Sequence, residues 1–206
     1  KYIEECCRRD FIFYCDTFCF TEAVGSTNRH RAFILYGYQE DAAEVLVGNY
    51  RHSLNEDESF TRRWDVLIEK SRKLGATWEV AAFFDWIWRF QPDKTLTVFS
   101  HNEDAVDLSG SNETIFAKFD YIEARVPSWL MVRGSRNTKE YGRTLCMIVN
   151  KKNGATIQGH ASSPNAGSGG RSDALWRDEE AKAQHGVEMT AATQAMCRFI
   201  VRTSTH

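Results

Sequence analysis

A strand-like run, Trp64-Asp65-Val66-Leu67-Ile68, feeds the loop Lys70-Ser71-Arg72-Lys73-Leu74-Gly75-Ala76-Thr77. The loop feeds a helix-like run that begins Trp78-Glu79-Val80-Ala81-Ala82-Phe83-Phe84 and stays apolar through Trp86, Ile87 and Trp88. Strand, small-residue loop and helix in this order form the context of a phosphate-binding loop. Backbone N–H groups of such a loop curl around an anion, and the N-terminus of the new helix adds its dipole. Against the pattern G-x-x-x-x-G-K-[ST], Gly75 and Thr77 stand where they should. Ala76 replaces the lysine and Lys70 replaces the first glycine. A helix that is apolar nearly all round is buried on every side, so this segment belongs at the centre of a fold. It is expected to run from about 77 to 90, ending at Pro92-Asp93.

A chain of 206 residues has room for one α/β domain with a full sheet. The hydrophobic fraction of 42% indicates a packed domain, and a net charge of −2 leaves no global field to draw nucleic acid. No apolar run reaches membrane-spanning length. Lys1-Tyr2-Ile3-Glu4-Glu5 is acidic where a secretory leader is basic and then apolar. The six cysteines (Cys6, Cys7, Cys15, Cys19, Cys146 and Cys197) include no C-x-x-C pair. Cys15 and Cys19, with His30 downstream, give only a weak zinc pattern, and reduced, buried thiols are the expected reading.

Residues 1–32 read as a helical, irregular lead-in that packs on a main domain over 33–206, with a turn at Gly25-Ser26-Thr27-Asn28. A helix is expected from Gln39 to Val47, and a solvated loop over 51–62. Thr95–Phe99 reads as a strand, followed by a helix opened by the S-x-x-E box Ser100-His101-Asn102-Glu103. Apolar spacing continues to Ile122 across an interruption at Gly110-Ser111. Leu145–Val149 and Thr156–His160 read as strands joined by a tight turn at Lys152-Asn153-Gly154. A Ser/Gly loop spans 162–170. Ala174-Leu175-Trp176 is a short strand ending on Asp178-Glu179-Glu180, a helix follows to about Cys197, and Phe199-Ile200-Val201 is the last strand. Alternating strands and helices imply a mainly parallel sheet flanked by helices on both faces.

Nucleotide chemistry needs a carboxylate for a metal at the end of a second strand and a base beside it to orient water. Asp178 and Glu179 have that placement; Glu180 competes with Glu179 for the base role, and a plain acidic helix cap is the alternative. Lys70, Lys73 and Arg72 are the cations near the loop, and Thr77 keeps the hydroxyl suited to Mg²⁺.

These residues resemble the ATPase domain of the phage terminase large subunit, an ASCE-type P-loop NTPase. The loop Ser71-Arg72-Lys73-Leu74-Gly75 is similar to that family's variant phosphate loop. Lys70 matches the lambda-type branch, whose lysine stands first. Leu35-Tyr36-Gly37-Tyr38-Gln39 resembles the adenine-contacting segment, Asp178-Glu179 the Walker B end, and Thr203-Ser204-Thr205 the coupling triplet. Val98-Phe99-Ser100, Ala105 and Pro127-Ser128-Trp129-Leu130 follow the family's order, so the likeness runs from Phe33 to Thr205. It departs at Ala76, and at Arg177, which puts a polar residue where the strand is usually apolar and implies an exposed strand end.

The resemblance implies ATP and Mg²⁺ as ligands. Lys70 and the loop from Ser71 to Thr77 would hold phosphate, Thr77 and Asp178 would hold Mg²⁺, and Glu179 would activate water. Gln39 would contact adenine, and Thr203–Thr205 would pass on the hydrolysis signal. Arg72 is the cis arginine candidate. Arg171, with Arg133, Arg136 and Arg143 behind it, is the arginine expected to complete a neighbouring subunit's site in a homo-oligomeric ring; an isolated domain is expected to be monomeric and slow. Arg133, Arg136, Arg143, Lys151 and Lys152 form a basic stretch suited to DNA phosphates, with a solvated hairpin as the plain alternative. Implied partners are double-stranded DNA, the portal protein and the small terminase subunit, in the host cell cytoplasm. The family's nuclease domain would follow residue 206, so no DNA cleavage is expected. A P-loop helicase or other translocase, and a non-hydrolytic nucleotide-binding module, remain as other readings.

Overall fold

The computed structural model describes residues 1–22, 27, 29–55, 63–71, 74–132, 141–163, 170–182 and 186–205. Most of the expected turn at 25–28 and of the polar loop at 51–62, together with Arg72, Lys73, Arg133, Arg136, residues 164–169 and His185, lies outside the described residues.

Helices α1 (Tyr2–Arg9) and α2 (Phe11–Phe18) come first. Strands β1 (Phe20–Glu22) and β2 (His30–Ala32) then pair antiparallel. Helix α3 (Gly37–Ser53) is longer at both ends than the expected 39–47, and its start is capped by the Gln39 side chain, which accepts from the Tyr36 N–H at 3.1 Å. Strand β3 (Trp64–Lys70) and helix α4 (Ala76–Phe90) fall where the sequence put them. The C-terminus of α4 is tied by the Asn153 amide, which donates to the carbonyls of Trp88 and Arg89 at 3.1 and 3.2 Å.

Strand β4 (Thr95–Ser100) leads to α5 (Glu103–Val106) and α6 (Ile115–Glu123). The expected cap at Ser100 is corrected. Ser100 ends the strand, and Asn102 caps α5 by accepting from Ala105 N–H at 2.7 Å. The continuous apolar spacing from 105 to 122 belongs to two helices, with Thr114 capping the second. Strands β5 (Tyr141–Thr144), β6 (Met147–Asn150) and β7 (Thr156–Ala161) follow. The strand expected from Leu145 begins at Met147, because Leu145 and Cys146 form the β5–β6 turn, with Cys146 at φ 53°. Strand β8 (Ala174–Arg177), a short 3₁₀ turn (Glu180–Lys182), α7 (Gly186–Met196) and β9 (Phe199–Thr205) complete the chain.

The main sheet has the order β3-β9-β8-β4-β7-β6-β5. Its first five strands run parallel and the last two are antiparallel. Alternation along the strands divides the core. Trp176, Phe199 and Val201 join the large cluster with α2, α3, α4 and α6, while Leu175, Phe99 and Ile200 join a smaller one with Met196, the last residue of α7, and Cys197 just after it. Helices therefore cover both faces, which is why β4 and β8 are buried almost throughout. No helix among the described residues is long and apolar enough to cross a membrane.

Arg177 is corrected from the exposed strand end the sequence implied. It is 2% exposed, pairs with Glu180 at 3.1 Å and donates to Thr190 Oγ1 at 2.8 Å.

Candidate functional site

In a parallel sheet, ligands bind beyond the carboxyl ends of the strands, where orphan groups and loops converge. Here three adjacent strands end together. The register sets Lys70 of β3 opposite Thr205 of β9, and Arg177 of β8 opposite Arg202 of β9. The residue after Arg177 is Asp178, so Lys70, the Thr203–Thr205 triplet and Asp178-Glu179 meet at one edge. The Thr203–Thr205 triplet forms the last three residues of β9.

The loop turns into α4 through Gly75, which caps the helix at φ 80°. That left-handed conformation suits glycine, and a Cβ there would stand 3.2 Å from Gln39 Nε2. The Lys70 ammonium crosses the loop to donate to Thr77 Oγ1 at 2.5 Å, and lies 3.6 Å from Asp178 Oδ1. Both members of that ion pair are nearly buried, with side chains 8% and 10% exposed. Thr203 Oγ1 donates to Asp178 Oδ1 at 2.7 Å and accepts from the buried Trp176 Nε1–H at 3.0 Å. Thr205 Oγ1 donates to Glu179 Oε2 at 2.8 Å, and Lys182 Nζ sits 3.1 Å from the same oxygen. Ser204 Oγ accepts from Ala181 N–H at 3.2 Å, holding the turn that follows Glu179. One short strand thus grips both carboxylates and the backbone beside them.

Glu179 takes φ 52°, a strained conformation for a side-chain-bearing residue. Burial raises its pKa, but the Thr205 and Lys182 hydrogen bonds outweigh that and hold it below the ordinary glutamate value. Glu180 is engaged elsewhere, with Arg177 at 3.1 Å and Arg202 at 3.8 Å, so of the two glutamates only Glu179 reaches the loop.

Lys70, Ser71, Leu74, Gly75, Ala76, Thr77, Glu179 and Thr205 line one cleft of about 300 Å³, together with Trp78 and Lys118. A second hollow of about 800 Å³ shares Leu74, Gly75 and Trp78 with it and is lined further by Tyr36, Tyr38 and Gln39. The rings of Tyr36 and Tyr38 stack at 5.8 Å and are well exposed. Gln39 is buried between hollow and loop: its Oε1 accepts from Tyr36 N–H at 3.1 Å and its Nε2 reaches the Leu74 carbonyl at 3.5 Å.

The chain shares its fold with the HK97 bacteriophage large terminase. That match has a TM-score of 0.63 at 12% identity and covers 96% of this chain but 37% of the terminase, so the chain spans little more than a third of that protein. The Thermus phage P74-26 large terminase ATPase domain also matches, at a TM-score of 0.46 and 14% identity, over 80% of this chain and 68% of that one. No protein-family model matches the sequence, and no curated protein does. The likeness is one of fold, a seven-stranded, mainly parallel sheet with helices on both faces.

Within this terminase-like fold the remaining expected residues scatter. Arg171 precedes β8, at the edge opposite the loop, and lines a separate cavity of about 450 Å³ with Arg63, Asp173 and Arg198. Arg143 is bound to Asp107 at 2.7 Å and Asp120 at 3.1 Å, which commits its charge within the protein. Lys151 and Lys152 are exposed in the β6–β7 turn, where Lys152 Nζ donates to the Met131 carbonyl. Sequence reasoning missed Lys118, Trp176 and Glu79. Trp176 and Glu79 read as ordinary core and helix positions, and Lys118 is separated from the loop by two elements. The fold brings Lys118 into the lining of the cleft, sets Trp176 beneath it on Thr203, and buries Glu79 in the first turn of α4.

Proposed function

We propose that this chain is the packaging-ATPase part of a phage large terminase, hydrolysing ATP to move double-stranded DNA into a procapsid. The observation that supports it is the convergence of Lys70, Thr77, Asp178, Glu179 and Thr205 at the carboxyl end of three adjacent parallel strands. The Thr77 hydroxyl and Asp178 carboxylate already flank a cation, the Lys70 ammonium, and these hard oxygen donors suit Mg²⁺. When bound there, Mg²⁺ neutralises charge on the transferring phosphate. The loop amides and Lys70 bind phosphate, and ionised Glu179 accepts a hydrogen bond from the attacking water and orients it. The Tyr36–Tyr38 hollow takes the base, with Gln39 joining base and phosphate loop through one amide. Thr203–Thr205 tie the two carboxylates to β9, so a shift at either carboxylate is felt along that strand. Arg72 acts in cis and Arg171 in trans in a ring of copies. Lys151 and Lys152, with Arg133 and Arg136, meet DNA phosphates; Arg143 is left with its structural pairs. Portal and small-subunit contacts belong to the assembled motor.

The test is ATP turnover and binding of a non-hydrolysable analogue. Glu179→Gln is expected to lower kcat by about 10²- to 10⁴-fold while keeping analogue affinity. Wild type that binds no analogue, even at high protein concentration, overturns the reading. Binding with no turnover at any concentration, with or without DNA, would favour a non-hydrolytic module, in keeping with Ala76.

A further inference from the structure

The phosphate cleft has a second ammonium, contributed by a different wall. Helix α6 starts at its Thr114 cap, and Lys118 lies one turn in. Its Nζ stands 5.6 Å from the centre of the Trp78 ring. It donates to the carbonyls of Glu113 and Thr114 at 2.8 and 3.2 Å. Among the described residues, no carboxylate lies within ion-pair distance of it. The third N–H of the ammonium is therefore left for the cleft, which Lys118 lines opposite Lys70, Gly75 and Thr77.

The two lysines are in different situations. Lys70 is held by Thr77 and Asp178, on the side where a metal ion is expected. Lys118 has only neutral partners. Its hydrogen-bond acceptors are two neutral carbonyls, and a polyanion in the same cleft offers the charged acceptor it lacks. With alanine at position 76, the loop brings the Lys70 ammonium to the cleft from its first position, and Lys118 stands apart from it on another element. We propose that Lys118 is a phosphate-contacting residue of this site, supplying from α6 a second positive charge beside that of Lys70. The proposal rests on the ATPase reading above. Burial draws the Lys118 pKa below the ordinary lysine value; Asp178 opposes this and Lys70 adds to it, which puts all three groups in one electrostatic neighbourhood.

Calorimetric titration of wild type, Lys118→Met and Lys118→Arg with a Mg²⁺-loaded ATP analogue and with AMP tests this. Methionine keeps an unbranched apolar stem against Trp78, so packing changes little. Lys118→Met is expected to weaken the analogue by ~10- to 100-fold, the range for one charged hydrogen bond. It should leave AMP within about twofold, and Lys118→Arg should recover part of the loss. Equal losses for analogue and AMP, or no loss, would overturn the proposal while leaving the ATPase reading intact. Wild type that binds no analogue overturns both. A readout that needs no folded methionine variant is the ¹³C resonance of reductively dimethylated Lys118 in wild type, assigned with Lys118→Arg. It should shift on addition of the analogue and not of AMP; a resonance that both leave unmoved overturns the proposal.

Discussion

Lys70 and Glu79 show how far a single residue's role depends on its surroundings. Lys70 ends a strand in a pattern that lacks the usual loop lysine, and its flexible stem carries the ammonium back across the loop to Thr77 and Asp178. Lys70→Ala is therefore expected to weaken analogue binding by ~10-fold or more, measured by calorimetry. Gly75→Ala places a Cβ against Gln39 in a left-handed conformation. It should cost about 1–2 kcal/mol in chemical denaturation, besides loosening the loop.

Glu79 offers a pH test. It is 2% exposed, and its Oε1 has no partner among the described residues. Burial pushes its pKa from 4.5 up to about 8, with a Gln39 hydrogen bond partly opposing. The folded state thus keeps a proton that the unfolded state loses, so this group's contribution falls as pH rises from the unfolded value toward about 8. At about 1.4 kcal/mol per unit, the loss amounts to a few kcal/mol. Glu79→Gln should flatten that slope, gaining stability relative to wild type at about pH 8 and little at about pH 5. Parallel pH-dependent denaturation curves for the two proteins would refute this.

At the scale of elements, β9 is the strand on which the site depends. It lies between the loop strand and the Asp-Glu strand, although it is last in the chain. Thr203 is fully buried and serves Trp176 and Asp178 at once, so Thr203→Val leaves an indole N–H and a carboxylate short of a partner. A loss of about 1–3 kcal/mol is expected by denaturation. Mg²⁺-dependent analogue binding should weaken as well, as for other residues that orient a metal-binding carboxylate. The Asp-Glu end was legible in sequence because acidic pairs after a short apolar run are few. Its partners were not, because strand order is a three-dimensional property. Arg177 shows the same limit: read as marking an exposed strand end, it is buried because Glu180 and Thr190 come to it across a turn and a helix.

Across the whole molecule, the expected lead-in is part of the same core as the site. Cys7, Phe11, Tyr14 and Cys15 pack into the large cluster, and Trp86 Nε1 donates to the Cys7 carbonyl. Beneath them Arg89 bonds Asp85 at 2.9 Å, Glu123 at 2.9 Å and the Leu130 carbonyl at 2.8 Å, while Tyr14 donates to Asp85. The network joins α2, α4 and α6, and α4 is the helix that begins at Ala76, next to Gly75 of the candidate site. Removing Arg89 strands two buried carboxylates, so Arg89→Met should destabilise the chain by about 3–5 kcal/mol. A Mg²⁺-loaded ATP analogue at about 100 times its Kd should raise stability by about 2.7 kcal/mol. A thermal midpoint that does not move with analogue concentration would contradict nucleotide binding.

What is local can be read along the chain. The strand–loop–helix at 64–90, the turn at 152–154 and the acidic pair after β8 follow from hydrophobic period, glycine placement and residue chemistry within a few neighbours. Which strand ends meet depends on long-range pairing and packing. The tertiary structure set β9 between β3 and β8, turned Lys70 onto Thr77, buried Glu79 and Arg177, and brought Lys118 into the cleft from a helix with no motif of its own. The physical reason is that a parallel sheet joins strands distant in sequence, so the residues at its carboxyl edge become neighbours through hydrogen-bond register and packing.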